Sequence, residues 1–270
     1  MALSPKVYTA IVNIVKNKSG IALGDNKEYL IESRLMPIAK KYELPTLDAL
    51  VNLMNSQMND QLLNDIIEAM TTNESFFFRD IKPFDNLRDH AIPYLLKNNP
   101  GKKDINIWSA ACSTGQEPYS IAMTLEELPQ LKDIKYKITA TDLDTKVLKK
   151  AKEGIYTQFE VQRGMPISLL IKYFTQKKER WLIKDILKEP ITFEPFNLMD
   201  NPVSLGNFDI VFCRNVLIYF DNITKEKVLK NLADRMPKGS LLFLGAAENF
   251  VDIKVPFESF DSIPGIYKRI

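Results

Sequence analysis

The chain has 270 residues, 45% of them hydrophobic, and its 36 Lys and Arg against 34 Asp and Glu leave a net charge of +2. So balanced a charge excludes a dedicated nucleic-acid binder that draws its affinity from phosphate neutralisation, and the length suits one α/β domain with a smaller companion. A single histidine and two cysteines, Cys112 and Cys213, exclude most imidazole dyads and triads and most zinc sites, so no metal is expected. The cysteines fit a reducing compartment and read as small buried apolar packing, while His90, in a polar helical segment, reads as a surface residue. MALSPKVYTAIVNIVKNKSG contains no apolar run long enough for a signal peptide or a membrane span, so a cytoplasmic protein is expected.

From Pro5 to about Met70 the apolar spacing is helical. Val7, Ile11, Ile14 and Val15 share one face, Leu30, Leu35, Ile38 and Tyr42 a second, and Leu62, Leu63, Ile66, Ile67 and Met70 a third, with Ser4, Asp25 and Thr46 as caps. The pattern predicts a helical domain over residues 1–70. Lys27, Arg34 and Lys41 fall at heptad spacing and form a basic stripe. That stripe is either a dock for an acidic partner helix or a solvated face balanced by Glu28 and Glu32.

Residues 71–90 read as a linker. Phe76, Phe77 and Phe78, flanked by Asn73, Ser75 and Arg79, do not fit a free amphipathic element and must pack somewhere. Apolar residues tying two domains together, with Asn73, Ser75 and Arg79 facing a cleft, satisfy the pattern; a purely structural linker is the alternative.

The centre of the chain is INIWSAACSTGQEPYS, Ile105 to Ser120. Ile105–Ala110 suits a strand buried on both faces of a parallel sheet, and the second half of the stretch turns into a helix. Thr114 and Glu117 have capping-box spacing, and Pro118 lies in a first turn where a missing N–H is tolerated. Gly115 lets backbone approach a ligand, but Ala111 and Ser113 stand where a dinucleotide-binding loop has glycines, so a pyrophosphate ligand is not expected. By itself the stretch is equally consistent with an ordinary strand-to-helix connection.

Strand and helix then alternate. Tyr136–Thr141 reads as a strand ending in Asp142 and Asp144; Asp142 is placed to accept ribose hydroxyls, Asp144 to cap a helix over Thr145–Glu153 that Gly154 stops. Residues 155–190 break the alternation and read as an insertion. The sheet resumes at Ile191–Phe196, followed by Asn197 and Leu198, and at Phe208–Cys213, followed by Arg214 and Asn215. Ligands of open α/β sheets bind outside the carboxyl ends of strands, so Gly115, Asp142, Asn197 and Asn215 are expected around one pocket. A helix over Thr224–Met236, a strand Leu241–Gly245 and a last run Gly265–Arg269 predict an antiparallel edge.

TTNESFFFRD, SAACSTGQEPYSIAM, TATDLD, FEPFNL, FCRNVLIYFD and LFLGAAENF, in this order and across nearly the whole chain, resemble the chemotaxis receptor glutamate O-methyltransferases, the CheR family. The resemblance implies a Rossmann-like α/β methyltransferase domain over 91–270, with a small antiparallel β-subdomain inserted at 155–190 and an all-α domain before it. It implies S-adenosylmethionine as cofactor and S-adenosylhomocysteine as product. Carried over by position, it puts Asn73, Ser75, Arg79, Glu117, Asp142, Asn197, Leu198, Arg214 and Asn215 on the cofactor. It implies a catalytic tyrosine, matched by Tyr219, and a catalytic arginine downstream of Arg79, for which Arg88 is the candidate. For Tyr219 the alternative to this functional reading is an aromatic core residue.

The implied product is a glutamate methyl ester on the cytoplasmic helices of a chemotaxis receptor. That chemistry suits a chain poor in histidine, because a glutamate with a pKa of about 4.3 is already ionised at neutral pH and needs no general base. Some family members bind a tethering peptide of the receptor through the β-subdomain and have a glycine-containing loop there. Thr175–Arg180, TQKKER, is shorter and lacks glycine, so a monomer acting without the tether is expected, with no nucleic acid and no membrane insertion. The rivals are a methyltransferase with another substrate, which CRNVLIYF in place of an NPPY-type motif disfavours, and a cofactor-sensing module without catalysis.

Overall fold

Apolar residues three and four apart make helices of the N-terminal part: α1 (Pro5–Ser19), α2 (Glu28–Lys41), α3 (Leu47–Gln57) and α4 (Asp60–Met70). The computed structural model describes residues 3–24, 26–250 and 253–270. Two units result, Met1–Thr72 with Tyr219–Lys225, and Asn73–Ile218 with Glu226–Ile270. In the first, Val7, Ile11 and Val15 of α1 and Leu62, Ile66, Ile67 and Met70 of α4 are buried as expected. The buried ridge of α2 is instead Ile31, Leu35 and Ala39, with Leu30, Ile38 and Tyr42 only half-buried at its flanks. Ser4 and Thr46 cap α1 and α3, and Asn59, which no sequence pattern singles out, caps α4 by accepting from Leu62 N at 2.8 Å. Asp25 lies outside the described residues.

The basic stripe is used inside this unit. Arg34 donates to the carbonyls of Met70 (2.8 Å) and Thr71 (2.7 Å), satisfying backbone acceptors where α4 ends. Lys41 pairs with Asp65, which is 2% exposed and also accepts from Tyr42 Oη at 2.8 Å. Burial would push the Asp65 carboxyl up, but the bonds from Lys41, Tyr42 and Gln61 outweigh it and hold the group below its ordinary value. Arg34 and Lys41 have these partners because α4 leaves a carbonyl end and a buried carboxylate in reach, while the Lys41 side chain stays 52% exposed.

The second unit runs α5 (Lys82–Asn86), a π-helical turn Leu87–Ala91, α6 (Ile92–Asn98), β1 (Asp104–Ala110), α7 (Gln116–Glu126), β2 (Lys135–Asp142) and α8 (Thr145–Glu153). The insertion comes next as β3 (Ile155–Thr157), α9 (Gln158–Gln162), α10 (Ile167–Tyr173), β4 (Phe174–Lys177), β5 (Arg180–Ile183) and α11 (Asp185–Lys188). The sheet resumes with β6 (Ile191–Pro195) and β7 (Ile210–Cys213), then α12 (Asn222–Ala233), β8 (Leu241–Leu244), β9 (Phe257–Ser259) and β10 (Ile266–Arg269).

The main sheet has the order β6-β2-β1-β7-β8-β10-β9, parallel from β6 to β8. The chain starts in the middle at β1, winds out through β2 to β6 and returns to β7, so β1 and β7 flank the switch point at which such sheets open a ligand crevice. The antiparallel pairing expected at the C-terminus is β10 on β8, but the outermost strand is β9, three residues too short to stand out as a period. The insertion forms its own antiparallel sheet, β3-β5-β4. Its Thr175–Arg180 hairpin turns through Lys178 and Glu179, with Lys178 at φ 55°, a left-handed position taken without glycine.

The phenylalanine run anchors the insertion within the second unit. Phe77, fully buried, meets Tyr156 of β3 edge-on at 5.0 Å and Phe174 of β4 at 5.6 Å, and Phe78 meets Phe84 of α5 at 5.2 Å. Gly164, between α9 and α10, makes room for this run, since a Cβ there would sit 2.1 Å from the Phe77 carbonyl. Phe77→Ala is expected to cost about 3–5 kcal/mol in urea denaturation, the range for a buried aromatic that leaves a cavity. A cost under about 1 kcal/mol would show that the packing around Phe77 collapses without loss.

Candidate functional site

The turn after β1 is built from residues in left-handed backbone conformation: Ala111 (φ 59°), Ser113 (51°) and Gly115 (94°). Two of them lack the freedom of glycine, and such positions cost on the order of 1–3 kcal/mol each, so they persist only where surrounding bonds fix them. Here Cys112 N donates to Thr141 O at 2.9 Å, Ser113 N to Asp142 Oδ2 at 2.8 Å, and Ser113 Oγ to Asn73 O at 2.9 Å. The glycine signal is missing from the sequence, but the glycine-like geometry is present.

The expected capping box does not form. Gly115 is the N-cap of α7 and no side chain caps it; Thr114 Oγ1 turns to Gln116 Oε1 at 2.8 Å. Glu117 is held by stronger partners, Arg214 Nη1 at 2.9 Å and Ser109 Oγ at 2.8 Å. Burial raises the Glu117 carboxyl above its ordinary value; Arg214 and Ser109 partly offset that, and the charge of Glu248 adds to it. Arg214, whose side chain is 1% exposed, also donates to Arg79 O and Asp80 Oδ2, both at 2.8 Å, while its Nε is buried without a partner.

Asp142 ends β2 and is 7% exposed. Burial pushes its carboxyl up to about 6, against the lowering effect of N–H bonds from Asp144, Ser113 and Leu143; the nearby Asp144 charge works with burial. Asp144 caps α8 through Lys146 N at 2.8 Å and accepts from Asn73 Nδ2 at 2.8 Å. Phe196 N donates to Asp142 O at 3.0 Å, which brings Asn197 and Leu198 next to the same strand end. Asn197 Oδ1 accepts from Met199 N at 3.0 Å, and Leu198 is 7% exposed.

Asn215, at φ 59°, opens the turn after β7. The backbone N–H groups of Asn215, Val216, Leu217 and Gly245 all donate to the Glu248 carboxylate, at 2.7–2.8 Å. Gly245 is required for that approach, because a Cβ would lie 2.7 Å from Glu248 Oε2. Glu248 and Asp80 are the residues that sequence reasoning missed. The signal for Glu248 is an acidic residue inside the apolar run LFLGAAENF, three positions after a glycine; Asp80 is separated from Arg214 by more than a hundred residues, a pairing no local pattern discloses.

The structure therefore gathers Asn73, Arg79, Glu117, Asp142, Arg214 and Asn215 at the carboxyl ends of β1, β2 and β7, with Asn197 and Leu198 at that of β6. Ser75 is half-buried in the same 73–80 segment, where Arg79 bonds to Glu74 O at 2.9 Å. Arg88 is not brought there: it sits in the π-helical turn, 47% exposed, bonded to Asp85 and Asp89. Tyr219, half-buried, ends a 3₁₀ turn (Leu217–Tyr219) and belongs to the first unit, where its carbonyl accepts from Ala22 N at 2.8 Å. Among the described residues no helix is long and apolar enough to cross a membrane, and no group of His, Cys, Asp and Glu is arranged to hold a metal ion.

A parallel sheet of this order, with polar and acidic groups at the strand ends beside its switch point, is a Rossmann-like α/β fold with a ligand crevice there. The profile described as the CheR methyltransferase SAM binding domain matches residues 73–265, and that of the CheR methyltransferase all-alpha domain residues 6–71. The chain belongs to the CheR methyltransferase family. It is 41% identical over 253 residues to the chemotaxis protein methyltransferase Cher2 of Pseudomonas putida, covering 92% of this chain and 91% of that one. It is 39% identical over 274 residues to a chemotaxis protein methyltransferase of Vibrio parahaemolyticus, covering 100% and 98%. Among solved structures, SAM-bound CalS10, an amino pentose methyltransferase of Micromonospora echinaspora, is 12% identical with a TM-score of 0.37 over 68% of this chain and 62% of that one.

The cofactor is S-adenosylmethionine. The residues fit it: two guanidiniums, Arg79 and Arg214, stand among four carboxylates, Asp80, Glu117, Asp142 and Glu248, an excess of negative charge suited to a sulfonium and an ammonium group. The unpartnered Arg214 Nε is a buried donor left over in the same place.

Proposed function

We propose that the protein methylates glutamate side chains on the cytoplasmic helices of chemotaxis receptors. The observation that carries this reading is the match of both domains to one family, and the bonded polar groups at the carboxyl ends of β1, β2 and β7 support it. S-adenosylmethionine supplies an electrophilic methyl group when bound. In the same reading Asn73, Ser75, Arg79, Glu117, Arg214 and Asn215 hold its amino-acid end, Asp142 accepts from its ribose, and Asn197 and Leu198 lie beside its adenine.

The acceptor glutamate is ionised at neutral pH, so the protein need only align it with the methyl group and exclude water, which can contribute about 7–11 kcal/mol. Tyr219 is the aromatic assigned to orient the acceptor. Arg88 makes a poor catalytic arginine, because Asp85 and Asp89 already neutralise it; Arg79, in the segment that Arg214 bonds, is the better placed of the two. The Lys178–Glu179 turn closes the insertion's hairpin without a glycine loop, and the receptor is engaged without a tether. A tether peptide bound with measurable affinity in a titration would overturn that part.

Peptide mapping by mass spectrometry of receptor-bearing membranes incubated with the protein and S-adenosylmethionine tests the reading; methyl esters confined to glutamates are expected, and methylation only of lysine, arginine or nucleic acid would refute it.

Asp142 gives this reading a pH signature. Its folded-state pKa of about 6 lies above the ordinary carboxylate value of about 3.9, so burying the ionised form costs stability above pH 6, and that cost vanishes as the group takes up a proton. The ionised form accepts from ribose hydroxyls more strongly than the protonated one, so affinity for S-adenosylhomocysteine is expected to be level above pH 7 and weaker at pH 5, by up to about tenfold. Titrations across this range check it; Asp142→Asn should bind weakly at every pH, with the step removed.

A further inference from the structure

The insertion contributes a residue to the cofactor site that none of the six family motifs contains. Tyr156, in β3, is fully buried, and its hydroxyl donates to Thr114 O at 2.7 Å. The peptide after Thr114 is thereby held at both ends, since Gly115 N donates to Cys112 O at 3.1 Å. The Tyr156 ring is fixed in turn, edge-on to Phe77 at 5.0 Å and to Tyr119 at 6.4 Å. Tyr156 is also the backbone partner of Trp181 in β5, so its position is that of the insertion's sheet. Gly115 lies so close that a Cβ there would stand 3.1 Å from the Tyr156 hydroxyl.

We propose that Tyr156 is a positioning residue for the cofactor: through the Thr114 carbonyl it holds the Ala111–Gly115 turn in its left-handed conformation, making the insertion part of the cofactor site. The proposal rests on the strand-end site assigned to S-adenosylmethionine. The turn contains left-handed Ala111 and Ser113, which relax unless bonds on several sides prevent it. Ser113 N, at the middle of the turn, is the donor that fixes Asp142, so a relaxed turn also releases the carboxylate assigned to the ribose. By linkage, whatever displaces the sheet of the insertion changes cofactor affinity, and cofactor binding stiffens that sheet in return.

The test compares Tyr156→Phe with Tyr119→Phe. Tyr119 is equally buried and its hydroxyl donates to Ala151 O at 2.8 Å, so its loss also strands a carbonyl but leaves the turn alone. Thermal melts should show similar destabilisation in the two variants. Titration with S-adenosylhomocysteine should show a Kd raised about tenfold in Tyr156→Phe and within twofold of wild type in Tyr119→Phe, tenfold being the scale of one lost hydrogen bond. With receptor-bearing membranes, Tyr156→Phe should raise KM for S-adenosylmethionine and change kcat less than twofold. Equal Kd values for Tyr156→Phe and wild type, or equal weakening in both variants, would overturn the proposal. Asp142→Ala separates this from the underlying site: wild-type binding by Asp142→Ala would mean that the site is wrong, whereas a defect there with normal binding by Tyr156→Phe would sink only the role of Tyr156.

Discussion

Arg214→Met should abolish measurable S-adenosylhomocysteine binding and cost about 3–5 kcal/mol of stability, the price of leaving a buried charge without its partner. Among the described residues the guanidinium is the one positive group bonded to Glu117, whose carboxyl is already raised by burial, and it also ties down Asp80 and the Arg79 carbonyl. Removing it strands Glu117 between Ser109 and the charge of Glu248. The double variant Arg214→Met with Glu117→Gln should regain most of the stability, because the orphaned charge is gone, and none of the binding. Denaturant melts and titrations on all four proteins close the cycle. Full additivity of the two substitutions in stability would contradict the pairing.

Glu248→Gln should be nearly as damaging although Glu248 carries no assigned contact with the cofactor. Its two oxygens accept from four backbone N–H groups, and an amide turns one of those oxygens into a donor facing two of them. At about 1–3 kcal/mol for each stranded donor, the loss is about 2–6 kcal/mol. The stranded turn carries Asn215, assigned to the cofactor, so methyl transfer by the folded fraction should drop about a hundredfold, as for a reacting group displaced by about 1 Å. Receptor methylation assays at a temperature where circular dichroism reports full folding check this. A variant that folds and transfers methyl at the wild-type rate would remove Glu248 from the account.

Much of this fold is legible because its periods are long and its punctuation local. Gly154 at φ 63° stops α8 where the pattern stops, and Asp144 caps the same helix. The buried run of β1 and the alternation after it give the parallel sheet. What escapes the sequence depends on partners distant along the chain. Glu117 has capping-box spacing from Thr114, yet Arg214, ninety-seven positions on, takes it. Arg34 and Lys41 fall on a basic stripe, but its spacing does not disclose that α4 offers a carbonyl end to one and buried Asp65 to the other. The phenylalanine run announces that it must pack, but only the insertion's sheet decides that Phe77 meets Tyr156. At the site, glycine counting misleads, because Ala111 and Ser113 adopt the left-handed conformation once the surrounding bonds hold them there.

The most direct measurement incubates wild-type protein and Asp142→Ala with methyl-labelled S-adenosylmethionine and receptor-bearing membranes, then treats the products with mild alkali and captures volatile label. Methyl esters of carboxylates release methanol under these conditions, whereas N-methyl groups and methylated bases do not. The account predicts volatile label from the wild-type reaction and little from Asp142→Ala, whose folding is checked by thermal melts in the same experiment. Label that resists alkali, or equal release from both proteins, would contradict glutamate methylation through the strand-end site.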